Sequence, residues 1–392
     1  MDQAPGAPVV PRASPPLRTL FTHALPPILV PPTIFLGLLF ALWTWKCFWI
    51  VAMQEKLLYL TWLPPFARSE KIADYKAECG PVQWQEMRIR SLDGTPLALC
   101  EGRITGDTAP MPRTGKKSSV VICYFQGNGG STPMRLPLLS QTLRAIDASA
   151  TLASSSHPPR EVCYTVVALS YRGYWSSSGH PTQSGIERDV QAFLDWVVET
   201  YAAPETDLRI ILWGHSLGSA IASTGLASYL SRSGDGPIAG LVLEAPTSSV
   251  KDMLINLYPQ KWLPYRYLWP FLRSHWDSTM AMERMAYWGH RSDAKHGRER
   301  SNGDGLVVRP TFIPPILILS AEKDEVIPPH AANDLETAGR SLGLDITRKQ
   351  VLGAMHTEAS VKAEGKRALV DFILRKRVVR VSSAATRKSS TH

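Results

Sequence analysis

The chain has 392 residues, enough for one large domain with appendages or for two domains. Its hydrophobic content is 44%, ordinary for a globular protein, and its net charge of +9 comes from a Lys/Arg excess concentrated late in the chain. The five cysteines (Cys47, Cys79, Cys100, Cys123, Cys163) have no CxxC or metal-ligand spacing, which argues against a disulfide framework or a zinc module.

Residues 1–27 are rich in Pro, Ala and polar residues and read as a disordered tail. Residues 28–53 follow as an apolar run. Ile34 to Met53 is 20 residues with Lys46 as its single charge, a bilayer's worth of helix. Trp43, Trp45 and Trp49 suit an interfacial belt, and Lys46 lies where it can snorkel. The competing reading is a cleaved signal peptide. Against it, the run begins late, is too long for an h-region and lacks a small-x-small cleavage site. An uncleaved single-pass anchor is therefore expected. Arg12 and Arg18 before the span and Lys46, Lys56 and Arg68 after it are too even to set its orientation.

Residues 54–80 read as a juxtamembrane connector, and 81–380 as one catalytic domain. Met87 to Cys100 alternates around Asp93-Gly94, a hairpin pattern. Val120–Phe125 is a buried strand that runs into Gln126-Gly-Asn-Gly-Gly130. Residues 131–147 look helical and 148–160 a polar insertion. Tyr164–Leu169 is the next strand, followed by Ser170-Tyr-Arg-Gly-Tyr174 and a helix over 183–202. Strands are expected at 240–246, 315–320 and 346–352. An aromatic-rich cap is expected at about 247–305, with a charged loop over 291–305, and a closing helix over 359–379. Residues 381–392 read as a basic disordered tail. Apolar strands alternating with helical stretches give an α/β fold with a mostly parallel sheet.

The chemistry centres on Leu208–Ser223. The apolar run Ile210-Ile-Leu-Trp213 stops at Gly214, and Gly214-His-Ser-Leu-Gly218 opens a small-residue helix. G-x-S-x-G between strand and helix is a nucleophile elbow, in which Gly214 and Gly218 leave room for a turn too tight for side chains. Ser216 is the candidate nucleophile. A serine hydroxyl needs a base to take its proton and a carboxylate to orient that base, in chain order Ser, acid, His in this arrangement. His356 follows the last strand and precedes the closing helix, as the base should. Asp324 leads for the acid, flanked by Glu322 and Glu325 as one-residue alternatives, with Glu244 after the preceding strand as another. The oxyanion requires two backbone N–H donors, assigned to Leu217 and Asn128. The glycines around Asn128 could also suggest a phosphate loop, but neither G-x-G-x-x-G nor G-x-x-x-x-G-K-S/T occurs.

With these pieces placed, the chain resembles the membrane-anchored α/β-hydrolase-domain (ABHD) serine hydrolases, most of all their BEM-forty-six-type branch. The likeness runs from about residue 35 to 378. It is carried by the anchor, Tyr124 to Asn128, Tyr171 to Tyr174, the elbow, Asp324 to Pro328, and Ser177, Gly179, Pro181 and Asp189. It departs at Gln126, where that family usually has His, at Trp175, where a Gly is common, and in the insertions at 148–160 and 291–305. The resemblance implies an α/β hydrolase fold, a Ser216–Asp324–His356 triad, no cofactor or metal, and cleavage of acyl esters of lipids or acyl thioesters of lipidated proteins. The implied location is a membrane, with the endoplasmic reticulum or another endomembrane expected ahead of the plasma membrane. The alternative class is a catalytically silent hydrolase fold acting as a membrane scaffold, which a missing triad member would favour. Nucleic acid is not an expected partner. The basic tail from Arg375 is short and lacks interleaved aromatics, so anionic headgroups suit it better.

Overall fold

The computed structural model describes residues 26–104, 117–154, 162–204, 206–234, 236–299 and 313–375, without the side chains of 117, 153, 154 and 290–299. The expected tails at 1–27 and 381–392 lie outside the described residues, except for 26 and 27. The chain divides at Ala52/Met53 into two units. The first contains helix α1 (Val30–Ala52). With the turn before it, the helical stretch Pro27–Ala52 is 26 residues long and holds an 18-residue window of mean hydropathy 1.9, none of it buried, long and apolar enough to cross a membrane.

The second unit is built on strands β1 (Val82–Arg90), β2 (Pro96–Ile104), β3 (Lys117–Phe125), β4 (Val162–Ser170), β5 (Thr206–His215), β6 (Ile238–Glu244), β7 (Ile316–Ala321) and β8 (Ile346–Val351). Its helices are α2 (Gln54–Tyr59), α3 (Lys76–Cys79), α4 (Leu136–Ser154), α5 (Gln183–Tyr201), α6 (Leu217–Ser233), α7 (Val250–Leu257), α8 (Ser278–Glu299), α9 (Ala331–Ser341) and α10 (Ala363–Leu374). The strands form one sheet in the order β1-β2-β4-β3-β5-β6-β7-β8. β2 is antiparallel to both β1 and β4, and the remaining pairs are parallel. This is the α/β hydrolase architecture.

The central strands are apolar throughout because both faces are covered. On one face Val121, Cys123, Phe125, Ile210 and Leu212 pack with Phe193 of α5 and Leu226 of α6. On the other, Val120, Ile122, Tyr124, Ile211 and Trp213 pack with Leu139 and Leu143 of α4 and Leu369 and Phe372 of α10. β1 and β2 join at Asp93-Gly94, where Gly94 takes φ 82° and Asp93 Oδ1 accepts from the Thr95 N–H at 3.2 Å. Gly is suited to that left-handed corner.

Three expectations are corrected. The polar insertion at 148–160 is helical as far as Ser154, because Ala148 to Ser154 holds no Gly or Pro to stop α4. Residues 155–160 lie outside the described residues. The charged stretch expected as a loop from 291 continues α8 to Glu299; it contains no proline, and its Arg, Ala, Lys and Glu residues are good helix formers. Residues 300–305 lie outside the described residues. The closing helix begins at Ala363, not Ala359, and ends at Leu374; residues 376–379 are outside the described residues.

The Tyr171-Arg-Gly-Tyr174 segment that follows β4 is a junction. Arg172 and Asp189 are both buried and meet at 2.7 Å, with Asp93 on the same guanidinium at 2.9 Å. Tyr171 donates from its hydroxyl to the Gln126 carbonyl at 2.9 Å. Trp175 takes φ 37°, a left-handed angle that accounts for Gly being common there, and its indole N–H bonds the Glu70 carbonyl at 2.7 Å.

Candidate active site

The carboxyl ends of β3, β5, β6, β7 and β8 deliver the candidate residues to one edge of the sheet, where open α/β sheets bind ligands. β5 ends at His215 and α6 starts at Leu217, leaving Ser216 alone at the turn with φ 54° and ψ −123°. That backbone is strained for a residue with a Cβ, and the surroundings hold it there. A Cβ on Gly214 would lie 2.2 Å from the Gly218 oxygen, and one on Gly218 would lie 2.0 Å from the Phe125 oxygen. The elbow glycines are thus required by close approach of α6 to β5 and β3. The Ser216 N–H donates to the Glu244 carbonyl at 2.8 Å, and Ser219 Oγ bonds the Gly214 and Glu244 carbonyls at 2.8 and 3.1 Å. Ser216 is 6% exposed, and its hydroxyl makes no hydrogen bond among the described residues.

His356 stands in the loop after β8, with Nδ1 3.0 Å from each Asp324 carboxylate oxygen. Asp324 Oδ1 also accepts from the Val326 and Ile327 N–H groups at 2.9 and 2.7 Å. Burial pushes the Asp324 carboxyl up. The hydrogen bond from His356 and those two backbone bonds outweigh it and leave the group below its ordinary value. The three other candidate acids hold main chain instead. Glu325 accepts from the His356 backbone N–H at 3.0 Å and Glu322 from that of Gly353 at 2.7 Å. Glu244, with no exposed surface, accepts from the Trp213 indole at 2.9 Å and from the Ser360 N–H at 2.8 Å, tying the segment after His356 to β5 and β6. Burial raises its carboxyl above the ordinary value.

The turn Gln126–Gly130 lies against the elbow. A Cβ on Gly127 would come 3.1 Å from Ser216 Cβ and 3.2 Å from His215 Nδ1. Asn128 is exposed, and neither its N–H nor that of Leu217 has a hydrogen-bond partner among the described residues. Gln126, in place of the family's usual His, is fully buried and accepts from Thr132 Oγ1 at 3.1 Å.

His215 is a participant that the sequence offered no reason to assign. Its Nε2 is 3.2 Å from the His356 carbonyl, and the two rings are 5.1 Å apart. A carbonyl only accepts, so Nε2 carries a proton. Burial, with the Arg135 and His356 charges, lowers the pKa of the ring from 6.5 to about 3. Below about pH 6.5 the unfolded chain therefore takes up a proton that the fold refuses, and stability falls from there toward pH 3. Asp324, lowered in the fold, adds in the same direction at the acid end of this range. We expect the thermal midpoint to drop between pH 7 and 5, at up to about 1.4 kcal/mol per pH unit for one proton. In His215→Gln, which keeps a donor for the carbonyl but does not titrate, the drop should shrink. An equal drop in both proteins would move the effect to other groups.

Comparison with known proteins follows the same lines. A model of the alpha/beta hydrolase family matches residues 127–357. The chain is 24% identical over 249 residues to protein bem46 of Schizosaccharomyces pombe, covering 63% of each. It is 30% identical over 177 residues to the lysophosphatidylserine lipase ABHD12 of Xenopus tropicalis, covering 44% of this chain and 38% of that one. The chain thus spans less than two-thirds of the length of these two relatives. The crystal structure of an alpha-beta hydrolase from Vibrio vulnificus superposes with a TM-score of 0.52 at 18% identity, covering 81% of this chain and 92% of the other, a likeness of fold.

Proposed function

The chain belongs to the alpha/beta hydrolase family, and we propose that it is a membrane-anchored serine hydrolase that cleaves acyl esters or thioesters of lipid-like substrates. The observation that carries this reading is the pairing of His356 Nδ1 with both Asp324 oxygens, on the same sheet edge as the strained Ser216. In this mechanism His356 Nε2 takes the Ser216 proton as Oγ attacks the acyl carbon. The anionic oxygen of the tetrahedral intermediate is met by the Asn128 and Leu217 N–H groups. Asp324 supports the imidazolium, which then protonates the departing alcohol or thiol. Water, deprotonated by the same histidine, releases the acid from the acyl-enzyme. A fluorophosphonate probe applied to the purified full-length protein should label Ser216; a protein that stays unlabelled is not a serine hydrolase.

The lipid-like substrate has three supports. The apolar stretch Pro27–Ala52 suits an anchor; release of the protein from membranes by an alkaline carbonate wash would remove that support. A relative carries the name lysophosphatidylserine lipase. The cap is also rich in open aromatic surface. Of its nine rings between Tyr258 and Trp288, Tyr265 and Trp276 are buried, whereas Trp262, Tyr267, Trp269, Phe271 and Tyr287 are exposed by 41–68%. Simple packing on the core does not account for those five. Each buried methylene contributes about 0.8 kcal/mol, so lengthening a p-nitrophenyl ester from four to eight carbons should raise kcat/KM by roughly two orders of magnitude if all four are buried. A flat series, or a preference for acetate, measured below the substrate's aggregation limit, would mean that the cap forms no acyl pocket.

A further inference from the structure

We infer that Tyr59 is a positioning residue that ties the cap to the oxyanion turn, making the segment after the apolar helix a working part of the active site. The inference rests on the serine-hydrolase reading above. Tyr59 ends α2 and has no exposed surface. Its carbonyl accepts from the Gly129 N–H at 2.9 Å and from the Tyr174 hydroxyl at 2.7 Å. Its own hydroxyl lies 3.0 Å from Ser274 Oγ and accepts from the Trp276 indole N–H at 2.9 Å. Main chain and side chain of one residue therefore grip two parts of the molecule far apart in sequence.

Its neighbours act in the same sense. The Leu63 carbonyl accepts from the Gly130 N–H at 2.7 Å. Gln54 donates to the Phe271 carbonyl at 3.1 Å and accepts from the Arg273 N–H at 2.6 Å. Between them Leu60 takes φ 46° and ψ 39°, a left-handed exit from α2 that turns the chain toward the glycines. A Cβ on Gly129 would sit 3.3 Å from the Leu63 oxygen and 3.7 Å from Leu60 Cβ. The connector thus fixes the turn at the residue beside Asn128, whose N–H is the proposed oxyanion donor. A donor displaced by about 1 Å can cost about a hundredfold in rate. A cap movement transmitted through Tyr59 would therefore be read at the chemical step.

The test uses the full-length protein in detergent, with kcat and KM on p-nitrophenyl butyrate and active sites counted by fluorophosphonate titration. Leu60→Gly, which favours the left-handed exit, should keep wild-type kcat. Leu60→Val, which resists it, should lower kcat per titrated site roughly ten- to a hundredfold with KM within about twofold. Tyr59→Phe and Ser274→Ala should each lower kcat about three- to tenfold, and the double variant no further than the worse single one. The pH midpoint of kcat should be unmoved in all five, because the base is untouched. Unchanged kcat in Leu60→Val and Tyr59→Phe would overturn the inference. So would losses that multiply in the double variant, or that follow a lowered thermal midpoint and vanish on assay well below it. A wild type that neither hydrolyses the ester nor takes the probe would remove the serine-hydrolase reading and this inference together, whereas an active wild type with indifferent variants removes only the latter.

Discussion

Ser216→Ala should abolish fluorophosphonate labelling and esterase activity while the protein stays folded. The hydroxyl makes no hydrogen bond among the described residues, so its removal leaves no buried partner stranded. The turn is held by the Ser216 N–H on Glu244, by Ser219 Oγ and by the approach of Gly214 to Gly218, none of which needs the hydroxyl. Alanine can occupy the strained angles at a cost close to that of serine. His356→Ala should lose nearly as much activity, because the nucleophile and its base act as a unit, and in a comparable protease triad each such loss costs about six orders of magnitude in kcat. The double variant should add little to either. Activity in Ser216→Ala above about one per cent of wild type, with unchanged thermal midpoint, would sink the assignment.

That such an experiment can be designed from the chain at all reflects how locally the elbow is written. Ile210 to Trp213, Gly214 to Gly218 and the small residues of α6 are contiguous, and each has a steric reason visible in the sequence. The central strands were legible for a related reason: covered on both faces, they are apolar runs bounded by turn residues. The fold class and the family resemblance followed from these. The lengths of α4 and α8 did not, since a polar stretch without Pro can continue a helix or leave it, and tertiary context decides, even across Gly297 in α8.

Long-range polar packing was the least legible. Tyr59 meets Gly129 and Tyr174 through its main chain and Ser274 and Trp276 through its hydroxyl, the last three from 115 to 217 residues away. No local pattern announces partners at that separation. A lone tyrosine in a connector gives no periodicity to read. The same holds for His215, which looked like filler inside the elbow motif. Its role is set by the His356 carbonyl 141 residues on. The Tyr171–Tyr174 motif was identified by resemblance alone, and its physical content, a tyrosine on the Gln126 carbonyl and an arginine buried on Asp189, is visible only in three dimensions.

Asp324→Asn should lower kcat at neutral pH by about four orders of magnitude, the loss known for the corresponding aspartate of the serine-protease triad. The geometry here gives the reason. Asp324 Oδ1 accepts from two backbone N–H groups, those of Val326 and Ile327. An asparagine must therefore keep its amide oxygen on that side, which turns its NH2 toward His356 Nδ1. That NH2 replaces one of the two oxygens that Nδ1 faces at 3.0 Å and can only donate, so it repels an Nδ1–H and favours the form with the proton on Nε2. The imidazole is then in the tautomer that cannot accept from Ser216. Stability should change little, because every backbone bond survives. Glu325→Gln and Glu322→Gln should leave kcat within a few-fold, since each amide can present an oxygen to the single N–H that its carboxylate now accepts. Glu244→Gln is the instructive contrast. Its two oxygens face two donors, the Trp213 indole and the Ser360 N–H, so one of them would meet an NH2 instead. The cost should be about 1–3 kcal/mol of stability, with kcat per titrated site largely kept. The decisive comparison is kcat against thermal midpoint for the four variants. A mild Asp324→Asn beside a Glu244→Gln that loses kcat without losing stability would move the catalytic acid from β7 to the end of β6.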